Sequence, residues 1–400
     1  MENKKQKSVL IGMSGGVDSS VAALLLKKQG YKVIGAFMIN FSGTKNKLTN
    51  ECSYIKDKKD AEKIASILEI PLIILNFEKE YRLNVLNKMF KSYSQGLTPN
   101  PDSLCNKMIK FSLLWREAKR LGCDFIATGH YIKKIKTGNK HYLKIPKDKS
   151  KDQSYFLYDL TQKDLEHTLF PIADYTKLEV REIAKKNELP NWDKHGTRGI
   201  CFVGKRDMKL FLQQKIKPKL GNIVSSEGEI IGQHKGMMFF TIGERIGENQ
   251  NTTIFPQFRN KYGKLYVAEK NKNPNRCKHR GIFNPPNGKK KTQQSCGVLN
   301  PFEGNKRKNI IVAVPKNHKS LYKKEFQIIK INWINEIKLP LDNVKVRIRH
   351  LGQLTSANII KKQNKIICLL KKPIKSVAEG QSCVVYKNNL VLGGGEIRYP

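Results

Sequence analysis

The sequence predicts an α/β amino-terminal domain, a small β-rich middle domain and a carboxy-terminal antiparallel β-barrel. Three observations carry this prediction. Short apolar strands alternate with helical patterns from Ser8 to about Gly204, Gly-punctuated β-like runs begin at Gly221, and strand patterns recur from Asn309 to the end. Alternating strands and helices are typical of a doubly wound parallel sheet, whereas successive short strands favour a barrel. The expected domains are 1–206, 207–270 and 309–400, with a flexible insertion at 271–308.

Individual elements of the first domain can be placed from local signals. The run "VLIGM" is the first strand, and a helix follows from Asp18 to Lys28. The later runs "KVIGAFM", "LIIL" and "DFIATGHY" predict further strands. Thr176 and Glu179 have the spacing of a capping box, so a helix should begin there and end before Pro190.

Composition limits the function classes. The chain has 400 residues and a formal net charge of +41, which is compatible with a polyanionic partner or with a solvated surface. It has no apolar run long enough for a membrane span or a signal segment, so a cytoplasmic protein without a membrane role is expected. Its eight cysteines contain no C-x-x-C pair, which argues against a disulfide framework or a zinc ribbon.

The strongest motif is "GMSGGVDSS", between the first strand and the first helix. Consecutive glycines allow a tight turn, and the loop amides and the helix amino terminus can bind phosphate. The motif fits neither a Walker A loop nor a dinucleotide fingerprint. It resembles the S-G-G-x-D-S loop of pyrophosphatase-loop enzymes, which split ATP between the α and β phosphates. A simple helix-capping turn is the plain alternative.

Two cysteines occupy positions suited to sulfur chemistry. Cys105 in "TPNPDSLCNKMIKF" follows Asp102 at or near a helix start, which favours a thiolate. Cys201 in "GTRGICFVGKRD" has basic neighbours that would stabilise a thiolate or persulfide. Either cysteine alone could be structural. Together with an adenylation loop, they favour sulfur transfer.

With further motifs, including "ATGHY", "SKDQSYFLY", "VKVRIRH" and "VLGGG", the chain resembles the bacterial tRNA-specific 2-thiouridylases over most of its length. The resemblance implies an adenine nucleotide alpha-hydrolase-like fold and ATP-dependent 2-thiolation of the wobble uridine, with Mg²⁺ accompanying ATP. It implies catalytic roles for Asp102, for Cys105 as nucleophile and for Cys201 as persulfide carrier. The reaction would end in a Cys105–Cys201 disulfide or release sulfide.

The resemblance also implies binding residues and partners. ATP would contact Gly12, Met13, Ser14, Gly15, Gly16, Val17, Asp18, Ser19, Met38 and Gly129. tRNA would contact Asn100, Pro101, Asp102, Lys151, Asp152, Gln153, Arg349 and His350. The partners would be tRNAs reading Lys, Glu and Gln codons and a persulfide-donating relay protein or cysteine desulfurase.

Some positions depart from the family pattern. Glu244 and Ile246 replace Gln and Lys, and His350 replaces Tyr. The insertion contains Cys277, His279 and Cys296, whose spacing is incomplete for zinc, so no metal site is assigned. Two rival functions stay open: a lysidine-synthetase-type enzyme sharing the loop, and a non-catalytic basic RNA-binding protein.

Overall fold

The structure is a computed structural model that describes residues 6–43, 52, 54–195, 208–247, 251–271 and 309–399. The α-helices are α1 (Val17–Lys28), α2 (Tyr54–Ile67), α3 (Glu78–Tyr81), α4 (Asn87–Ser94), α5 (Pro101–Cys105), α6 (Ser112–Arg120), α7 (Gln162–Glu166), α8 (Lys177–Lys186), α9 (Met208–Gln213) and α10 (Pro256–Tyr262). Single π-helical segments at Arg82–Leu86 and Asn106–Phe111 join α3 to α4 and α5 to α6. Within the described ranges, no helix is both long and apolar enough to span a bilayer.

The amino-terminal domain is a five-stranded, wholly parallel sheet in the order β3-β2-β1-β4-β7. Its strands are β1 (Ser8–Gly12), β2 (Lys32–Ile39), β3 (Leu72–Asn76), β4 (Phe125–Ala127) and β7 (Thr168–Leu169). The central strands β1 and β4 are predominantly buried because helices cover both faces. Strands β2 and β3 are added on one side of β1, and β4 and β7 on the other. The order of strands therefore reverses between β1 and β4, and α/β sheets usually bind ligands at such a point. The predicted doubly wound sheet is therefore confirmed.

A six-stranded sheet forms the middle domain, in the order β10-β12-β13-β8-β9-β11. Its strands are β8 (Gly221–Val224), β9 (Ile230–His234), β10 (Arg245–Ile246), β11 (Thr252–Ile254), β12 (Leu265–Asn271) and β13 (Ile310–Pro315). The sequence prediction assigned the last strand to the carboxy-terminal barrel, and the structure corrects this. Residues 310–314 are buried without alternation, which suits a central strand paired on both sides, here with β12 and β8.

The carboxy-terminal domain is a closed, six-stranded antiparallel barrel, as predicted. Its strands are β14 (Tyr322–Trp333), β15 (Leu341–Arg347), β16 (Thr355–Lys362), β17 (Lys365–Lys375), β18 (Ser382–Lys387) and β19 (Leu390–Arg398). A hairpin from the first domain, β5 (Lys133–Thr137) and β6 (Lys140–Lys144), adds to β19 and extends this sheet. The amino-terminal domain and the barrel therefore share backbone hydrogen bonds, which the sequence did not reveal.

Candidate active site

The loop between β1 and α1 has the conformation that its glycines allow. Gly15 has φ +70°, and a Cβ there would lie 2.2 Å from the Asp57 carbonyl oxygen. Only glycine fits this close approach without strain. The Ser14 amide donates to Ser19 Oγ at 3.2 Å, and Ser19 Oγ donates to the Gly16 carbonyl at 3.0 Å. The loop is thus held compactly at the amino end of α1, where phosphate binds well.

Side chains from distant segments hold this loop. Lys194 Nζ donates to the Gly15 carbonyl at 3.1 Å and forms ion pairs with Asp57 and Asp60 on α2. Burial opposes the charge on Lys194, but the two carboxylates raise its pKa overall. Asn191 Nδ2 also donates to the Gly15 carbonyl, at 3.1 Å. The loop is therefore fixed from α2 and from the segment after α8.

Asp18 is the carboxylate of the loop, and two residues that the sequence reasoning missed bind it. Tyr131 Oη donates to Asp18 Oδ1 at 2.8 Å, and Lys177 Nζ lies 2.6 Å from the same atom. Burial and the Asp18 charge raise the pKa of Tyr131, which stays a neutral donor. Tyr131 ends the quoted "ATGHY" run, so its position was a usable signal. No sequence signal pointed to Lys177 beyond its position at the start of a capped helix.

The other predicted nucleotide residues lie at the same edge of the sheet. Met38 is near the end of β2, and its Cε would be 3.1 Å from a Cβ on Gly12. Gly129 follows β4, and a Cβ there would lie 2.8 Å from the Ser19 amide nitrogen. The predicted residues from Gly12 to Ser19, with Met38 and Gly129, are therefore gathered around one β–α turn. The side chains of Met13 and Val17 are exceptions, because both are buried in the core.

A cavity of 520 Å³ lies where the three domains meet. Asn100, Pro101 and Asp102 line it from the start of α5, and Arg349 and His350 line it from the barrel. The segment 241–244 of the middle domain lines the remaining side. Five of the predicted tRNA-contact residues therefore share one cavity, although they are far apart in the sequence.

The helix that carries Asp102 and Cys105 begins at this cavity. Asn100 is its N-cap: Asn100 Oδ1 accepts from the Ser103 amide at 3.3 Å, and Nδ2 donates to Ser382 Oγ on the barrel at 3.2 Å. Cys105 lies one helical turn after Asp102, and its side chain is buried, with 7% exposed. The cysteine is thus near the helix start, as predicted, but its side chain faces the protein interior.

Asp102 of the cavity interacts electrostatically with Lys110. Burial raises the pKa of Asp102, while the Lys110 ammonium lowers it in part. Burial and the same ammonium lower the pKa of His130, which follows β4. Lys110 therefore acts electrostatically on both the cavity and the nucleotide side. Sequence reasoning quoted the segment that contains Lys110 but assigned it no role.

The remaining predicted contacts divide into exposed and buried residues. Lys151 is exposed, and Gln153 Oε1 accepts from the Tyr131 amide at 2.8 Å. Asp152 is fully buried and lies 2.6 Å from Arg347 Nη1 on the barrel. Its predicted contact with tRNA is corrected, because a carboxylate enclosed in an interdomain ion pair does not face a ligand. Cys201 lies outside the described residues.

The fold and the phosphate loop define a nucleotide-binding α/β enzyme domain joined to two β domains. The tRNA-specific 2-thiouridylase MnmA 2 of Aliarcobacter butzleri (strain RM4018) is 36% identical over 407 residues, covering 99% of both chains. The tRNA-specific 2-thiouridylase MnmA of Blochmanniella floridana is 40% identical over 401 residues, covering 98% of both. The chain belongs to the tRNA-specific 2-thiouridylase family.

Family models match each domain. Residues 7–205 match the tRNA methyl transferase HUP domain, 209–277 the tRNA methyl transferase PRC-barrel domain and 323–397 the aminomethyltransferase beta-barrel domain. Among solved structures, a 4-thiouridine synthetase in complex with RNA and bound ATP is 16% identical. It has a TM-score of 0.33, and the match covers 52% of this chain and 50% of that one.

Proposed function

We propose that this chain thiolates C2 of the wobble uridine of tRNA in an ATP-dependent reaction. The observation that carries the proposal is the cavity, whose lining combines Asp102, one helical turn from Cys105, with Arg349 and His350 of the barrel. Relatives that are similar over nearly the full length carry the name of this activity. The amino-terminal domain, which carries Asp102 and Cys105, also carries the glycine–serine loop that would bind the phosphates of ATP.

ATP fits the edge of the sheet formed by β1, β2 and β4. The loop from Gly12 to Ser19 offers backbone amides and serine hydroxyls for the phosphates, and Met38 and Gly129 lie where the adenosine would extend. Mg²⁺ is usually held by one or two carboxylates together with substrate phosphates. Asp18 is the suitable carboxylate here, and the ion would neutralise phosphate charge during the reaction.

The first step activates the uracil carbonyl. Asp102 takes the N3 proton, which increases the electron density on O2 of the base. That oxygen bonds to the α-phosphorus of ATP, and the bond from phosphorus to the α–β bridging oxygen breaks, so pyrophosphate leaves. Because burial raises the pKa of Asp102, its carboxylate is a better proton acceptor than an exposed aspartate.

The second step transfers sulfur. The terminal sulfur of a persulfide on Cys201 attacks C2, and AMP leaves with the bonding electrons of the C2–O bond. The Cys105 thiolate then attacks the Cys201 sulfur and breaks the persulfide bond. The products are the C2 thiocarbonyl and a Cys105–Cys201 disulfide, which a thiol reductant must reopen. Alternatively, Cys105 releases sulfide from the persulfide, and sulfide attacks C2.

The tRNA would be held by exposed basic residues and by the cavity. Lys151 and Arg349 suit phosphate contacts, while Asn100, Pro101, Gln153 and His350 border the position of the target nucleotide. We propose that the substrates are tRNAs reading Lys, Glu and Gln codons. The sulfur would come from a persulfide-donating relay protein or cysteine desulfurase, and the reaction would take place in the cytoplasm.

Mass spectrometry of wobble nucleosides, combined with a pyrophosphate-release assay, tests the proposal. Cys105→Ala and Cys201→Ala should each abolish thiolation while pyrophosphate release on tRNA continues, because adenylation precedes sulfur transfer. Cys123→Ala is the matched control, since Cys123 is as buried as Cys105 (6% exposed) but lies outside the helix that begins at the cavity. Normal thiolation by Cys201→Ala with a persulfide donor would refute the mechanism. Addition of an amine instead of sulfur would favour the lysidine-type alternative.

A further inference from the structure

The turn between β15 and β16 places a leucine beside the cavity. Leu351 is 49% exposed, and it directly follows His350, which lines the cavity with Arg349 and Asp102. Single exposed apolar residues are common on protein surfaces and need no explanation by themselves. Leu351 differs from such residues in its backbone conformation and in its location.

The backbone at Leu351 is unusual for leucine. The Gly352 amide donates to the Arg349 carbonyl at 3.0 Å, which closes a tight turn with Leu351 at its third position. Leu351 has φ +53°, a left-handed conformation that glycine and asparagine adopt far more readily. At an exposed turn, either residue would remove the strain at no cost in packing. Among the non-glycine residues with positive φ in the described part of the chain, Leu351 is the only apolar one, and backbone outliers of this kind concentrate at functional sites.

Neighbouring contacts fix the direction of the turn. Arg349 Nη2 donates to the Lys375 carbonyl at 3.0 Å, and the His350 ring packs on Phe156 with centroids 4.4 Å apart. A Cβ on Gly352 would lie 2.7 Å from Arg349 Cγ, so the turn is closely packed. Leu351 is therefore presented in a defined place relative to the cavity.

We propose that Leu351 is a wedge that enters the base stack of the anticodon loop when the target uridine moves into the cavity. The proposal rests on the proposed function, because it requires a base extruded from a stacked RNA loop. Extrusion sacrifices stacking with neighbouring bases, and inserted apolar side chains, leucine among them, compensate for it in other nucleic-acid complexes. Leu351 is a positioning residue, because it would contact the adjacent nucleotides and not the reacting atoms.

Three variants separate the wedge from the fold of the turn. Leu351→Asn tolerates the left-handed backbone but lacks the apolar side chain, whereas Leu351→Met keeps an apolar side chain of similar reach. Leu220→Asn is the control, because Leu220 is also an exposed leucine (69%), and neither it nor its neighbours in the chain line the cavity. Single-turnover thiolation is measured on an anticodon stem-loop that carries fluorescent 2-aminopurine beside the wobble uridine.

Leu351→Asn should thiolate the stem-loop about tenfold more slowly, as expected from losing the burial of half a leucine side chain. It should also lose the rise in 2-aminopurine emission that reports unstacking on binding. Leu351→Met and Leu220→Asn should behave as the unaltered chain. On a stem-loop with an abasic site beside the target uridine, Leu351→Asn should match the unaltered chain, because less stacking has to be broken.

Two results would overturn the wedge while leaving the proposed function intact. One is wild-type thiolation and fluorescence in Leu351→Asn. The other is an equal loss of rate on the intact and the abasic stem-loops, which would mean that the residue acts elsewhere. If the unaltered chain adds no sulfur to the stem-loop while it binds ATP, the proposed function itself fails, and the wedge fails with it.

Discussion

The nucleotide loop and the interdomain cavity differ in how their residues are brought together. The loop consists of consecutive residues from Gly12 to Ser19, and the segments that hold it, α2 and the residues after α8, belong to the same domain. The cavity takes its walls from segments around residues 100, 241 and 349, which belong to three domains. ATP binding should therefore survive changes in domain docking that abolish tRNA binding, and the predictions below test that separation.

Buried polar contacts between the first domain and the barrel maintain the cavity. Asp152 and Arg347 form an ion pair at 2.6 Å, and Arg347 also lies over the Tyr386 ring at 5.3 Å. The Tyr155 hydroxyl lies 3.0 Å from the Ser382 carbonyl oxygen. Since Asp152 is fully buried, removing its charge leaves Arg347 enclosed without its counterion.

The largest expected effect is on the docking of the barrel. Asp152→Asn should lower the free energy of unfolding by about 3–5 kcal/mol and weaken tRNA binding more than ATP binding. Lys147→Ala is the control, because it breaks an exposed ion pair with Glu179 and should change stability far less than Asp152→Asn. Denaturant unfolding and two binding titrations measure these effects. Equal weakening of ATP and tRNA binding would mean that the two regions are not separable.

The next effect tests the loop alone. Gly15→Ala adds a Cβ where the Asp57 carbonyl oxygen would be only 2.2 Å away, at a positive φ. We expect ATP affinity to fall about a hundredfold, because the backbone turn must move away from the phosphates, while tRNA affinity stays within about threefold. Gly30→Ala is the matched control for Gly15→Ala. Gly30 also has a positive φ, but nothing lies within 4 Å of a Cβ added there. Equal ATP affinities of the two variants would contradict the close-packed loop.

The loop region could be predicted from the sequence because its information is local. The glycines and serines of "GMSGGVDSS" specify a turn between a strand and a helix. The capping box is similar: the Thr176 amide donates to Glu179 at 2.6 Å, as the spacing predicted. In both cases a few neighbouring residues specify the local turn or helix start. A short window of sequence is therefore sufficient to predict that element.

The cavity was only partly predictable because long-range contacts build it. Asn100 reaches Ser382 across 282 positions, and Asp152 reaches Arg347 across 195. The family resemblance implied that Asp152 contacts RNA, but burial is a property of the docked domains. The strand Ile310–Pro315 was misassigned for the same reason, since local pattern does not specify which sheet a strand joins.

A smaller effect concerns the ionisation of Asp102. Burial raises its pKa in the folded chain, so ionisation of Asp102 opposes folding. Its contribution to stability is present at pH values below the unfolded pKa and is lost as pH rises through the folded pKa. Asp102→Asn should therefore unfold at the same or a higher temperature than the unaltered chain at pH 7.

The same variant should thiolate tRNA about a hundredfold more slowly, because an amide cannot accept the N3 proton. Asp174→Asn is the control, since Asp174 is exposed and pairs only with Lys133 among the ion pairs found in the described residues. In the unaltered chain, the rate at acid pH should rise as Asp102 ionises. If Asp102→Asn keeps the acid limb of the pH–rate profile, another group is the base.

The smallest effect separates phosphate contacts from the cavity chemistry. Lys151 is exposed, and in the proposed complex it meets a phosphate, so Lys151→Ala should weaken tRNA binding only about two- to threefold. Each neutralised RNA phosphate contributes roughly −0.7 to −0.9 to the slope of log affinity against log salt. The slope for tRNA should therefore become shallower by about one such increment, while ATP binding stays unchanged. Lys365→Ala, which removes another exposed lysine on the barrel, shows whether any positive charge has this effect. If Lys151→Ala leaves the slope unchanged, Lys151 is not part of the RNA interface. If Lys151→Ala and Lys365→Ala change the slope equally, the high net charge acts on tRNA as a diffuse field.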